Sequence, residues 1–288
     1  IIVVDNGSTD DTCQLLKNCN AKVIRDETKN LAYLFNLGTR NVSGDILAYI
    51  NDDAEADPHW LENIVKSFEK FKNASVVGGP TIATREQEIF STYDLAQQSC
   101  LLRVVAKIYN TVICEGKLFD VGRVFQSGAY SIGGSLVQSL KLKRPIYVDF
   151  LSIIGVAVRQ DVFYELNGFD ENFIWVHEDG DFFIRAKKLG HKLVFNPKVI
   201  VWHHINPGGA TRGAYNLGRD QAYFLFKDFR PESLSGLLRL LLNMLFFNFF
   251  WFHKAIQLKN IKPIKGVIGF ISGIQEYFKI RARERPNN

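Results

Sequence analysis

Three acidic clusters each follow a run of apolar residues, and each has a chemistry that its residue types permit. Asp5-Asn6-Gly7-Ser8-Thr9-Asp10 follows Ile1-Ile2-Val3-Val4. A carboxylate leaving a buried strand can accept from a nucleobase N–H or a ribose hydroxyl, and open α/β sheets bind ligands at that edge. The same residues would also make an ordinary strand-to-helix turn. Asn51-Asp52-Asp53 follows Asp45–Ile50. Adjacent carboxylates repel unless a cation or donors neutralise them, and oxygen ligands suit Mg²⁺ or Mn²⁺ bridging a diphosphate. The bland alternative is a solvated loop. The alternation Asn51, Asp53, Glu55, Asp57 does not make an EF-hand loop, because Ala56 stands where glycine is needed and Pro58 follows.

The third cluster is His177-Glu178-Asp179-Gly180-Asp181. A carboxylate at a helix start is held ionised by the helix dipole and can serve as general base for a hydroxyl, or simply cap the helix. His203-His204 follows Val199–Trp202. Adjacent side chains on an extended segment point to opposite sides, so at most one histidine faces a shared site.

Elements that could position these residues are legible. Residues 1–4, 21–25, 45–50 and 75–79 read as strands, and 9–18 and 30–41 as helices. Asp57-Pro58 starts another helix, with apolar residues at 60, 61, 64, 65, 68 and 71. Strands alternating with helices predict an α/β fold with a mostly parallel sheet. Residues 84–145 show no clear pattern. Tyr147–Arg159 reads as one strand, Asn167-Gly168 as a turn, and 179–189 as a helix ended by Gly190, with Asp181 and Arg185 spaced for an ion pair. Lys192–Phe195 and Val199–Trp202 read as short strands.

Composition narrows the class. Of 288 residues, 47% are hydrophobic and 23% charged, which argues against disorder, collagen and coiled coil. Cys13, Cys19, Cys100 and Cys114 form no C-x-x-C pair, which disfavours a zinc ribbon and points to a reducing, cytoplasmic compartment. The net charge of +5 belongs to the tail, because the residues from His253 onward carry a surplus of lysine and arginine. Without a nucleic-acid motif or interleaved aromatics, that surplus does not indicate nucleic acid. It follows the apolar run Gly236–Phe252, which reads as a buried core helix, a helix at a membrane surface backed by basic residues, or a span. Gly269-x-x-x-Gly273 is a weak helix-packing motif. Dinucleotide, P-loop and nucleophile-elbow motifs are absent from the sequence.

Taken in order, IIVVDNGSTDDT, GDILAYINDDAEADPHWL, LNGFDENFIWVHEDGDFFIRAKKLG and NPKVIVWHH resemble a family 2 glycosyltransferase of rhamnosyltransferase-like type, over residues 1–230. The resemblance implies a GT-A fold over 1–230 and an apolar, basic helical region over 231–288. It implies inverting, metal-dependent hexosyl transfer from a nucleotide-sugar donor to a glycan or lipid-linked acceptor. Asp5, Gly7, Ser8, Asn36, Asp52 and Gly155 would bind the donor, Asp53 and His203 would hold Mn²⁺ or Mg²⁺, and Asp179 with Glu178 would supply the catalytic base. The family's first strand and helix, which precede the D-x-G-S motif, are expected to be missing, and Asn51 stands in place of the first acid of D-x-D. No Q-x-x-R-W follows the histidines, which favours single-sugar transfer over processive synthesis. With the apolar run, this places the enzyme at the inner face of a membrane, in contact through 236–285, and building a surface polysaccharide. The rivals are a catalytically degenerate glycan-binding scaffold and a nucleotidyltransferase.

Overall fold

The computed structural model describes residues 1–83, 100–204 and 213–284. β1 (Ile2–Asp5) pairs in parallel with β2 (Lys22–Arg25), joined by the short α1 (Thr12–Lys17). Helix α1 is shorter than the expected 9–18. Asp10, not Ser8 or Thr9, holds its start by accepting from the Thr12 amide at 3.1 Å. α2 (Leu31–Thr39) is capped by Asn30, whose side chain accepts from the Tyr33 amide at 2.8 Å.

A five-stranded sheet runs in the order β3-β8-β5-β9-β7: Ile46–Ile50, Gly155–Arg159, Ala74–Gly78, Lys192–Phe195 and Ile146–Val148. The expectation of a mostly parallel central sheet needs correction. β3, β5 and β9 run one way, but β8 is inserted between β3 and β5 in the opposite sense and β7 closes the edge antiparallel. The span 147–159, read as one strand, is two strands at separate places in this sheet. The residues between them turn the chain. β4 (Ala54–Ala56), β6 (Thr81–Ala83) and β10 (Val201–His203) form a second, small sheet with β10 in the middle.

The central strands are apolar throughout because both faces are covered. Alternate residues serve different layers. Val77, Ala157 and Val194 pack with Trp60, Ile64 and Phe68 of α3 (Trp60–Lys70). Val76, Val156, Val158 and Leu193 pack on the other face, with Phe163 of α5 (Gln160–Glu165) and Phe182 and Phe183 of α6 (Glu178–Lys188). This is the period of two expected of a strand. Residues 100–145 contribute α4 (Cys100–Ile108), a π-turn (Tyr109–Ile113) and a hairpin bridged at Val124 and Tyr130.

Three helices complete the described chain: α7 (Ala214–Asp228), α8 (Leu234–Gln257) and α9 (Lys265–Glu284). The expected helix 236–252 is thus longer at both ends. α7 and α9 touch backbone to backbone. A Cβ on Gly218 would stand 1.9 Å from the Gly266 carbonyl oxygen, and one on Gly269 would stand 1.9 Å from the Tyr215 carbonyl oxygen. Gly273 meets Arg219 in the same way, so the sequence motif Gly269-x-x-x-Gly273 does line a helix contact. Leu240 and Phe270 join the same buried cluster as the sheet residues Val76 and Phe195.

Candidate active site

The first part of the site is built on β1. The Asp5 side chain is buried at its end. Its Oδ1 accepts from the Ser8 amide at 2.9 Å and its Oδ2 from the Cys13 thiol at 3.4 Å, with the Arg25 guanidinium 3.8 Å away. The Ser8 hydrogen bonds hold the Asp5 carboxyl below its ordinary range. Gly7 adopts φ +82°, a left-handed conformation that favours glycine and lets the chain fold Ser8 back onto Asp5. Asn6 ties this turn to the next one, donating to the carbonyls of Asp26 and Thr28.

The second part lies at the end of β3. Ile50 is opposite Gly155 in the antiparallel ladder, so the chain leaving β3 and the chain entering β8 meet at one sheet edge. Asp53 then pairs with β10. Its carbonyl accepts from the His204 amide at 2.7 Å, and its Oδ1 lies 3.3 Å from His203 Nε2. The two residues expected to share a metal are therefore side by side, brought from opposite ends of the chain by β4 and β10. Asp53 Oδ1 is buried without a hydrogen-bond partner among the described residues. A buried carboxylate oxygen left over beside an imidazole nitrogen is a donor set that fits a divalent cation. Among the described residues no group of three metal-binding side chains occurs, so Asp53 and His203 would need ligands from the substrate or water. His204 points the other way, to Glu55, as expected for neighbours on a strand. Asp52 is exposed on the turn.

The third part is the start of α6. Asp179 Oδ2 accepts from the Ile153 amide at 3.1 Å and Oδ1 from the Gly180 amide at 2.7 Å. Ile153 lies in the turn just before β8, so Asp179 is tied to the edge that carries Asn51–Asp53. Burial pushes its pKa up to about 6, and the backbone hydrogen bonds oppose a larger rise. Glu178 is shifted in the same direction, and further. It is 2% exposed, and burial with the adjacent Asp179 charge drives its pKa well above the ordinary range. Its Oε2 has no hydrogen-bond partner among the described residues. Glu178 therefore lies in the core at the start of α6, where burial favours its neutral form.

Asn36 and Gly155, both expected near the donor, also have structural partners. Asn36 is buried on α2, and its amide is consumed internally. Nδ2 donates to the Phe169 carbonyl and to Glu171, and Oδ1 accepts from the Phe169 amide. It braces the 168–171 loop. Gly155 is small for a packing reason, because a Cβ there would stand 2.4 Å from Val201 Cγ2.

Sequence reasoning did not anticipate the residues that fix the chain before Asp179. His177 is left-handed at φ +70°, a conformation costly for a side chain of its size. Its ring lies 4.7 Å from that of Phe224 and nearly parallel to it. Nδ1 meets the Tyr130 hydroxyl at 2.6 Å and Nε2 meets Gln221 Oε1 at 3.0 Å. Burial lowers the His177 pKa to about 4, so at neutral pH it is an uncharged connector. Asp220 of α7 accepts three successive backbone amides, from Ile174, Trp175 and Val176, at 2.7–3.1 Å. In the sequence, Asp220 and Gln221 are two of several polar residues of α7 and nothing local marks them out.

Comparison with known proteins follows these lines. Residues 1–119 match the sequence profile of glycosyl transferase family 2. A glucosyl-dolichyl phosphate glucuronosyltransferase of Haloferax volcanii is 24% identical over 214 residues, 70% of this chain and 53% of that protein. The chain thus spans about half the length of the curated relative it matches. Among solved structures, S. aureus TarS 1-349 in complex with UDP-GlcNAc gives a TM-score of 0.55 at 14% identity, covering 96% of this chain and 71% of that one. The Pyrobaculum calidifontis mannosyltransferase PcManGT in complex with GDP-Man and Mn²⁺ gives 0.50 at 13% identity, covering 98% and 69%. At such identities the likeness is one of fold.

Proposed function

We propose that this chain, whose residues 1–119 form a glycosyl transferase family 2 domain within a GT-A fold, transfers one sugar from a nucleotide-sugar donor with inversion of the anomeric centre. The observation that carries the reading is the tether of Asp179 to Ile153, which sets a carboxylate of raised pKa at the sheet edge bearing Asp53 and His203. Asp5 accepts from the nucleoside, with Gly7 and Ser8 shaping the turn that orients it. Asp52, exposed beside Asp53, contacts the ribose or sugar.

Asp53 and His203 would hold Mn²⁺ or Mg²⁺, which when bound neutralises the donor diphosphate. Asp179 accepts the acceptor hydroxyl proton at its carboxylate as that oxygen attacks the anomeric carbon opposite the diphosphate. The bond to the diphosphate breaks as the new glycosidic bond forms, and a single displacement inverts the centre. Donor and acceptor held at one sheet edge react as an intramolecular pair.

The acceptor is a glycan carried on a lipid. Support comes from the Haloferax relative, whose name is that of an enzyme acting on a dolichyl phosphate sugar, and from the apolar stretch 236–252 with the basic residues after it. The four free cysteines fit a reducing compartment, so the cytoplasmic face of the membrane is the place proposed. Arg285, the end of the contact stretch read from sequence, lies outside the described residues.

The test is donor binding measured by calorimetry with UDP, GDP, dTDP and CMP, with and without Mn²⁺, on the chain and on Asp53→Ala. Binding of one nucleotide that strengthens with Mn²⁺ and loses that gain in Asp53→Ala is the expected result. Metal-independent binding, equal in both proteins, would remove Asp53 from the metal site.

A further inference from the structure

Helix α8 spans 24 residues, about 36 Å, and is apolar enough by composition to cross a bilayer. Its packing argues otherwise. Leu240 and Trp251 are buried, and the Asn243 amide donates to the Ser127 carbonyl at 2.9 Å. Arg239 pairs with Glu115 part-way along the same helix. One face of α8 is therefore built into the protein along most of its length. The opposite face carries Leu238, Leu241, Leu245, Phe249, Phe252 and Ile256, all exposed and spaced by three or four residues into one stripe. Leu258 and Ile261 in the connection, and Ile268, Ile271 and Phe278 on α9, are exposed as well.

The charge around this surface is one-sided. Between Glu232 and Glu276 there is no carboxylate side chain, while Lys259, Lys262 and Lys265 stand exposed where α8 turns into α9. A second copy of the same surface would bring like charges together. An anionic bilayer accepts both the apolar stripe and the lysines.

We propose that α8 and the exposed apolar residues of α9 lie in the plane of a membrane surface containing anionic lipid, with the stripe inserted at the acyl boundary and the lysines at the headgroups. The buried face of α8 remains on the protein and does not cross. Through Asn243 it holds the hairpin that presents Tyr130 to His177, so the docked helix and the chain before Asp179 share one hydrogen-bonded support. This deepens the lipid-linked acceptor reading above, but its test reads partition and not turnover.

The experiment is sedimentation of the full chain with vesicles of phosphatidylcholine alone and with 30% phosphatidylglycerol added. Variants are Leu241→Glu/Leu245→Glu, both at exposed positions outside the core, and Lys259→Glu/Lys262→Glu/Lys265→Glu, with folding checked by circular dichroism. The chain is expected to bind the anionic vesicles and to be released by alkaline carbonate. Each lysine contributes about fivefold to partitioning, so the triple variant should bind at least about a hundredfold more weakly. The leucine variant should fail on both vesicle types. Failure of the folded chain to bind anionic vesicles, equal binding by either variant, retention through carbonate, or a stable dimer abolished by Leu241→Glu/Leu245→Glu would each overturn the proposal. Donor binding measured on the same preparations separates this failure from failure of the glycosyltransferase reading.

Discussion

Asp179 and Glu178 are neighbours in sequence with opposite fates, and the difference is set by what each side chain meets. Asp179 receives two amide hydrogen bonds, which favour its charged form. Glu178 is enclosed, with an oxygen that has no partner among the described residues, which favours the neutral one. A base must be ionised to act, so turnover is expected to rise with pH through about 6 and level off above it. Asp179→Asn should lower kcat by about 10²–10⁴ and abolish that limb while nucleotide binding persists. Steady-state rates across pH, with calorimetric donor binding, check both. Glu178 offers a separate test through stability. Its folded pKa lies above the ordinary 4.5, so the folded chain holds this proton more tightly than the unfolded one. That stabilisation is complete below 4.5 and is lost as pH rises through the folded value, by up to about 1.4 kcal/mol per pH unit. Glu178→Gln cannot titrate. Relative to the parent it should therefore gain stability as pH rises above 4.5 until the folded carboxyl itself ionises, as read by urea unfolding, with little change in kcat.

At the scale of elements, what was legible follows from the range of the interactions involved. That Asp5, Asp53 and Asp179 stand at the ends of elements could be read because local pattern is written in neighbouring residues. The β4 strand, the division of 147–159 and the roles of Tyr130, Asp220 and Gln221 were not legible. Each depends on partners 40 or more positions away, such as Tyr130 with His177 or His203 with Ala54. The run 147–159 has no breaker before Gly155 to mark that it leaves one strand position and enters another. The glycine motif of α9 is an intermediate case: its spacing was visible, but not its partner. Its energetic meaning can be measured. In an exposed helix Gly→Ala is worth about 1 kcal/mol of stabilisation. Gly269→Ala should reverse that sign and destabilise by about 2 kcal/mol or more, because the new methyl meets the Tyr215 carbonyl, a backbone atom that cannot rotate aside. Chemical denaturation decides it, and a stabilised Gly269→Ala would mean that the helices separate freely.

For the whole molecule, the question is whether the helices after residue 230 are an appendage to the α/β unit or part of it. The buried cluster that contains Val76 and Val156 of the sheet also contains Phe224 of α7, Leu240 of α8 and Phe270 of α9. The contact is not confined to that cluster: Leu242 and Phe246 of α8 close the small core around Ile113 and Phe125. Cutting the chain at 230 would uncover Gly218 and its neighbours on α7, whose close fit to α9 leaves no side chain to shield the exposed backbone. α7 also carries Asp220 and Gln221, which hold residues 174–177, so loss of its partner would reach Asp179 through hydrogen bonds already described. Membrane binding is therefore better tested by recharging the exposed stripe than by truncation. The full chain should unfold in one transition, coincident by near-UV and far-UV circular dichroism. A chain ending at 230 should lose that transition and bind a hydrophobic dye at temperatures where the full chain does not. If the truncated chain instead kept a cooperative transition within about 5 °C of the original, a loss of no more than about 2–3 kcal/mol, the two parts would be independent in folding, and the helices would serve the membrane alone.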